Sequence, residues 1–198
     1  MANFEYRSDR VVDVGGGAIV RLLGAGLVSL FLVILLWASV AQVPAGHVGV
    51  LTLFGRVTGD ELPEGIHLVN PFKVNNTMSV RTQEMKETAS VPSSEGLIVN
   101  LDTSLLFRLQ ADRASDVFQK IGPNYMSVVI EPMLRSSIRS VTAAHSANAL
   151  YSSAREEVAQ QIRKELEIEL SKRGVVVENV LLRDIQLPPA LKASIETK

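Results

Sequence analysis

Between Leu22 and Val43 the chain reads LLGAGLVSLFLVILLWASVAQV, apolar at almost every position and without an Asp, Glu, Lys or Arg. Neither a period of two nor one of 3.6 stands out, so the run predicts an element that is apolar all round. As a helix its 22 residues would extend about 33 Å, enough to cross a hydrocarbon layer of about 30 Å. A transmembrane helix over 22–43 is therefore expected, behind an N-terminal leader over 1–21. Arg21 closes one end and Trp37 lies near the other, where an indole favours the membrane interface.

After Pro44-Ala45-Gly46 the pattern changes to short strands and turns. VGVLTLFG (48–55) reads as a strand, GDELPEG as a loop, IHLVNPF as a further strand, and TMSVRTQEMKETAS as a rough alternation. The clearest alternation is LIVNLDTSLLFRLQ. It places Leu97, Val99, Leu101, Thr103, Leu105, Phe107 and Leu109 on one face, and Asn100, Asp102, Ser104, Arg108 and Gln110 on a wet one.

Helical patterns take over at Asp112. DRASDVFQKIG has Asp112 as a cap and Gly122 as its stop, and the next segment carries Pro123 where a first helical turn accepts it. Pro132 should kink that second helix, because it cannot donate to the carbonyl of Val128. Ser153-Ala154-Arg155-Glu156 is a capping-box pattern opening a helix over 153–173, with Val158, Ile162, Leu166 and Leu170 as its apolar stripe and Gly174 as its end. VVVENVLLRDIQL then returns to β structure, Pro188-Pro189 ends it, and ALKASIETK begins another helix.

The outer faces of the 153–173 helix interleave both signs of charge. Arg163 with Glu167, and Glu169 with Arg173, are spaced to pair along an exposed helix. The alternative is that these four residues form an interface with an identical neighbour by charge complementarity.

Charge also bears on topology. Arg7, Arg10 and Arg21 precede the apolar run, whereas Arg56 is the only Lys or Arg between Val43 and Lys73. Positive charge stays on the cytoplasmic side, which puts the N-terminus inside and the folded part outside. A cleaved signal peptide is the competing reading, since Ser39-Val40-Ala41 is a small-x-small triplet. The 21-residue leader with Glu5, Asp9 and Asp13, and the length of the apolar run, argue against it.

The remaining composition mostly excludes. With 20 Lys+Arg against 21 Asp+Glu and a pI near 6.3, no basic field exists to attract nucleic acid. The absence of cysteine removes disulfides, Cys-ligated metals and a thiol nucleophile. The histidines, His47, His67 and His145, have no metal-ligand spacing, so no metal or cofactor is expected. Gly15-Gly16-Gly17 lacks the Lys and Ser/Thr of a phosphate loop and reads as a joint before the anchor. Asp102 and Ser104 share a strand face without a nucleophile elbow, although a triad using His145 is not defined by sequence order and stays open.

Taken in order, VPAGHVGVLTLFGRV, PEGIHLVNPF, GLIVNLDTSLLFRL and GVVVENVLLRDIQLPPALKASIETK resemble the SPFH/Band 7 domain family. IGPNYMSVVIEPMLRSSIRSVTAAHSANAL is most similar to its prohibitin branch, and the resemblance runs from Val43 to Lys198. It implies an α/β (α+β) fold of two subdomains after a single transmembrane helix: a membrane-proximal β-rich unit over 44–90, lying at the bilayer surface, and an α/β unit over 91–187. A coiled-coil helix would begin in 188–198 near Pro189. The resemblance further implies a scaffold without catalytic residues that forms a large homo-oligomeric ring or cage on membrane lipid. Such an assembly organises a microdomain and encloses or regulates membrane proteins such as an AAA protease. A bacterial plasma membrane is the expected location. The rival from another class is a membrane-tethered hydrolase or protease subunit with an unfamiliar catalytic order.

Overall fold

The computed structural model describes residues 16–151 and 154–186. The leader up to Gly15, the Ser153 cap and the closing PPALKASIETK lie outside the described residues. The apolar run forms α1 (Gly16–Ala38), which starts before Leu22 and stops short of Val43. Its last residues become β1 (Val40–Val43), paired antiparallel with β4 (Gly65–Leu68). Val40 and Val43 continue the hydrophobic run in sequence, but their β-branched side chains sit in a strand whose partner is supplied from elsewhere in the chain.

The following strands are β2 (His47–Leu53), β3 (Arg56–Leu62) and β5 (Lys73–Ser79), which form a second sheet in the order β3-β2-β5. Residues 59–62, expected to begin a loop, belong to β3. The expected single alternation over 77–90 is broken at Val80–Thr82, because β6 (Gln83–Pro92) leaves for a third sheet. β6 pairs along its length with β7 (Ile98–Leu109), so the sheets divide near residue 81 and not at 90.

β7 is the centre of the third sheet, between β6 and β8 (Val175–Gln186). Its inward face is buried as its alternation requires, with Leu101, Leu105, Phe107 and Leu109 all at 0% exposure. Each such side chain contributes about 1.5–3 kcal/mol relative to leaving it in water. Ser104, expected on the wet face, is also buried, and its hydroxyl donates to Glu84 Oε1 at 2.8 Å. Elsewhere that face carries cross-strand pairs of the same kind, Thr88 to Asp102 and Ser90 to Asn100.

Helices cover the inner face of this sheet. α3 (Glu131–Ala144) packs on β6 and α5 (Arg155–Ser171) packs on β8, with the two helices in contact. The short α4 (Ala147–Tyr151) joins them. Pro132 does disturb its helix, and the disturbance takes the form of a π turn over Met126–Ile130, closed by the Glu131 N–H donating to the Met126 carbonyl. The wider turn absorbs the missing proline donor ahead of α3.

α2 (Ala114–Lys120) packs against β2 and β3 and ties the two sheet systems together. Asp112 does not cap it; that residue sits in a 3-10 turn over Ala111–Arg113. The cap comes from β3, where Glu61 Oε1 accepts the Ser115 N–H at 3.2 Å. A carboxylate at a helix N-terminus is favoured by both the unpaired N–H groups and the helix dipole. One continuous core results, running from Val48, Val50 and Met78 through β7 to Leu170.

Glu61→Ala should therefore destabilise the chain by about 0.5–2 kcal/mol, as loss of a helix cap does. Leu105→Ala, which opens a cavity in the centre, should cost about 2–5 kcal/mol. Thermal unfolding of the detergent-solubilised chain, followed by circular dichroism, checks the order of the two.

Candidate functional site

The first functional feature is α1 itself. Val20–Ala38 forms the one helix among the described residues long and apolar enough to cross a membrane, and none of it is buried against the rest of the chain. Leu22, Leu27, Phe31 and Leu36 are all exposed, on different sides. A helix that is apolar all round and covered by nothing suits a lipid environment. Arg21 lies exposed in its early turns, and Trp37 is 85% exposed in its last. The two expected flanks thus stand at opposite ends of one helix.

The helix ends in a set of hydrogen bonds. The Ser39 hydroxyl donates to the Leu35 carbonyl at 2.9 Å, and the Val69 N–H donates to the Ser39 carbonyl at 2.8 Å. Val40 and Ala41 then pair with Leu68 and His67. The small-x-small triplet of the signal-peptide reading is therefore the helix-to-strand junction, and a cut after Ala41 would remove half of β1.

Beyond β1 the Pro44-Ala45-Gly46 turn is held from three sides. Gly46 N–H donates to Glu64 Oε2 at 2.9 Å, Arg81 Nη2 donates to the Ala45 carbonyl at 2.7 Å, and Val80 N–H donates to the Gly46 carbonyl at 3.0 Å. Gly46 has φ +72°, and a Cβ there would run into the Arg81 side chain. Only glycine satisfies both constraints. Sequence reasoning found the turn but missed Glu64 and Arg81, whose roles depend on contacts far along the chain.

Candidate chemistry is dispersed. His47 Nδ1 lies 3.2 Å from the Ala45 carbonyl and His67 Nε2 lies 2.7 Å from the Pro63 carbonyl, each a local contact. Asp102 is engaged by Thr88 and Ser104 by Glu84, so the Asp-x-Ser pair is tied into the sheet's polar ladder. Among the described residues no group of three His, Asp or Glu side chains is placed to hold a metal ion.

The charged helix is the second feature. Val158, Ile162, Leu166 and Leu170 are buried as expected, joined by Ala159. The expected intrahelical pairs do not form. Glu169 is taken by Lys172 at 2.7 Å, and Arg163 and Glu167 make no ion pair with each other. The Lys172 ammonium, by hydrogen bond and charge, holds the Glu169 carboxyl below its ordinary range, with Arg173 adding a weaker pull. Arg163 is half-buried with its Nε unpartnered, while Glu167 and Arg173 are exposed. The structure thus brings the four residues onto one helix and its C-terminal turn, and among the described residues leaves three of them without an ion pair.

Residues 41–198 match the SPFH domain / Band 7 family. The chain belongs to that family. The match begins at the second residue of β1. Among known proteins it is similar to mitochondrial Prohibitin-1 of Arabidopsis thaliana, 28% identical over 93% of this chain and 64% of the relative. Mitochondrial Prohibitin-2 of the same plant is 27% identical over 93% of this chain and 65% of its own length. Prohibitin-2 of Mus musculus is 26% identical over 92% and 60%. The chain therefore spans less than two thirds of the length of these relatives, and the likeness places it on the prohibitin side of the family.

Gly46→Ala should displace Arg81 and force a left-handed alanine, costing more than about 1 kcal/mol. Hydrogen exchange at His47 and Val80, read by mass spectrometry, should rise in that variant while exchange in β7 stays unchanged.

Proposed function

We propose that this chain is the membrane-anchored subunit of a prohibitin-like scaffold. Copies assemble side by side into a large ring or cage, organise a membrane microdomain, and enclose or regulate membrane proteins such as an AAA protease. The observation that carries the reading is the combination of an uncovered apolar helix with a charged helix whose Arg163, Glu167 and Arg173 form no ion pair among the described residues. The likeness to prohibitins supports it. The scaffold acts through confinement and sorting, with no chemistry of its own. The first two sheets, up to residue 81, would act as a membrane-proximal subdomain, and the third sheet with its helices as an outer one.

A head-to-tail contact between identical copies closes into a ring when the rotation between neighbours permits. Unlike charges displayed on one helix can pair across such a contact, and confinement of every copy to the membrane plane raises their effective concentration. The leader arginines favour an N-terminus in the cytoplasm of a bacterial cell and a domain outside the plasma membrane.

The double variant R163E/R173E should place like charges across each contact. The particle extracted in mild detergent should shrink at physiological salt while the protein still pellets with membranes. A double variant that sediments at full size would show that α5 is only a solvated face. Orientation is tested separately with intact spheroplasts: added protease should digest the folded domain, and protection with the outer barrier removed would reverse the topology.

A further inference from the structure

The end of the domain from which α1 departs carries large apolar side chains that the fold leaves uncovered. Val69 is bonded to Ser39 at the helix exit, and the chain then turns through Asn70, whose side chain accepts the Phe72 N–H at 3.0 Å. Three residues of chain span at most about 11 Å, so Phe72 stays close to that exit. Lys73 lies opposite Leu53 in the β2–β5 register, which returns the β2–β3 hairpin tip to the same place. There the rings of Phe54 and Phe72 meet, with centroids 6.3 Å apart. Phe54 is 86% exposed and Phe72 63%. Ile66 and Leu68 of β4, and Val40 opposite Leu68, extend the uncovered apolar surface.

The hairpin itself gives Phe54 no reason to be aromatic. Phe54 has φ +49° and Gly55 φ +84°, the positive pair of a two-residue hairpin turn. Asn-Gly is the favoured sequence there, since a bulky side chain in the left-handed region is strained. A ring held in a strained position, left 86% exposed beside another exposed ring, gains its burial from something beyond the described residues.

We propose that Phe54 and Phe72 form an aromatic foot that inserts into the lipid interface of the leaflet from which α1 emerges. This deepens the scaffold reading and rests on its membrane anchor. The occupant is lipid, not a second protein copy, because the foot lies beside the exit of an apolar helix that is uncovered among the described residues. Arg56 follows the hairpin tip and is exposed, placing a cation where phosphate headgroups lie, whereas nearby Lys73 is held by Asp60 at 2.9 Å. The domain then has two attachments to the bilayer, one spanning and one peripheral, and its tilt is fixed.

The chain has no cysteine, so single cysteines can be labelled cleanly. F54C, F72C and the control S140C, on exposed α3 surface, would each carry a polarity-sensitive dye in the full chain. The labelled chains would be reconstituted in phosphatidylcholine and phosphatidylglycerol vesicles. Nitroxide lipids labelled near the headgroup should quench the dyes at 54 and 72 several-fold more than the dye at 140, and aqueous iodide should show the reverse order. Iodide quenching at 54 equal to that at 140 would overturn the foot. Shielding at 54 from both quenchers would also overturn it, because a protein surface would then be the occupant. Failure of the chain to float with the vesicles would remove the anchor reading together with the foot.

Discussion

Everything in this molecule depends on how the backbone leaves the helix at Ala38. A chain passing out of a lipid layer cannot abandon its carbonyls and N–H groups there, because an unpaired backbone group away from water costs several kcal/mol. Here the groups are passed directly from helix to sheet. Ser39 N–H returns to the Leu36 carbonyl, the Ser39 hydroxyl to the Leu35 carbonyl, and Val69 takes up the Ser39 carbonyl. β4 must therefore lie beside β1, and the turn at 44–46 must reverse the chain in little space. Glu64 and Arg81 serve that turn from opposite directions. Through Arg81 and the neighbouring Thr82, which donates to Glu178, the order imposed at the exit reaches the third sheet.

Elements whose stability is decided by their own side chains were legible in the sequence. β7 alternates because its inner face lies under two helices, and α5 shows its stripe because one face meets β8 and α3. Elements decided by a distant partner were not. β1 reads as the tail of a helix, since nothing near Val40 reveals that Leu68 will face it. β3 reads as a loop because Gly59, Asp60 and Glu61 are poor strand formers, and a bulge in the β2–β3 register accommodates it.

The candidate surfaces divide in the same way. That α5 shows charge outward was legible, because a buried stripe of period 3.6 leaves the rest of the helix in water. Which charges pair was not, because Glu169 chose Lys172 in the last turn over Arg173 beyond it. The aromatic pair was invisible. Phe54 and Phe72 occupy separate turns, and only the β2–β5 register brings their rings together.

These features bear on how an assembly of such chains would set its size. An exposed ion pair is worth about 0–1 kcal/mol, so a few contacts along α5 would not hold free domains together. Holding all copies in one plane removes much of the entropic cost of association. A spanning helix alone still leaves the domain free to swivel about its exit, presenting α5 at many angles. A second attachment at Phe54 and Phe72 would reduce that freedom, since tilting about the exit would carry both rings out of the lipid interface. Neighbours would then meet at one angle, and a fixed angle between identical copies determines where a ring closes. The position of the foot in the lipid interface would thereby enter the geometry of the whole ring. A change in bilayer thickness that shifts the foot relative to α1 would alter the closing angle without touching any residue of the contact itself.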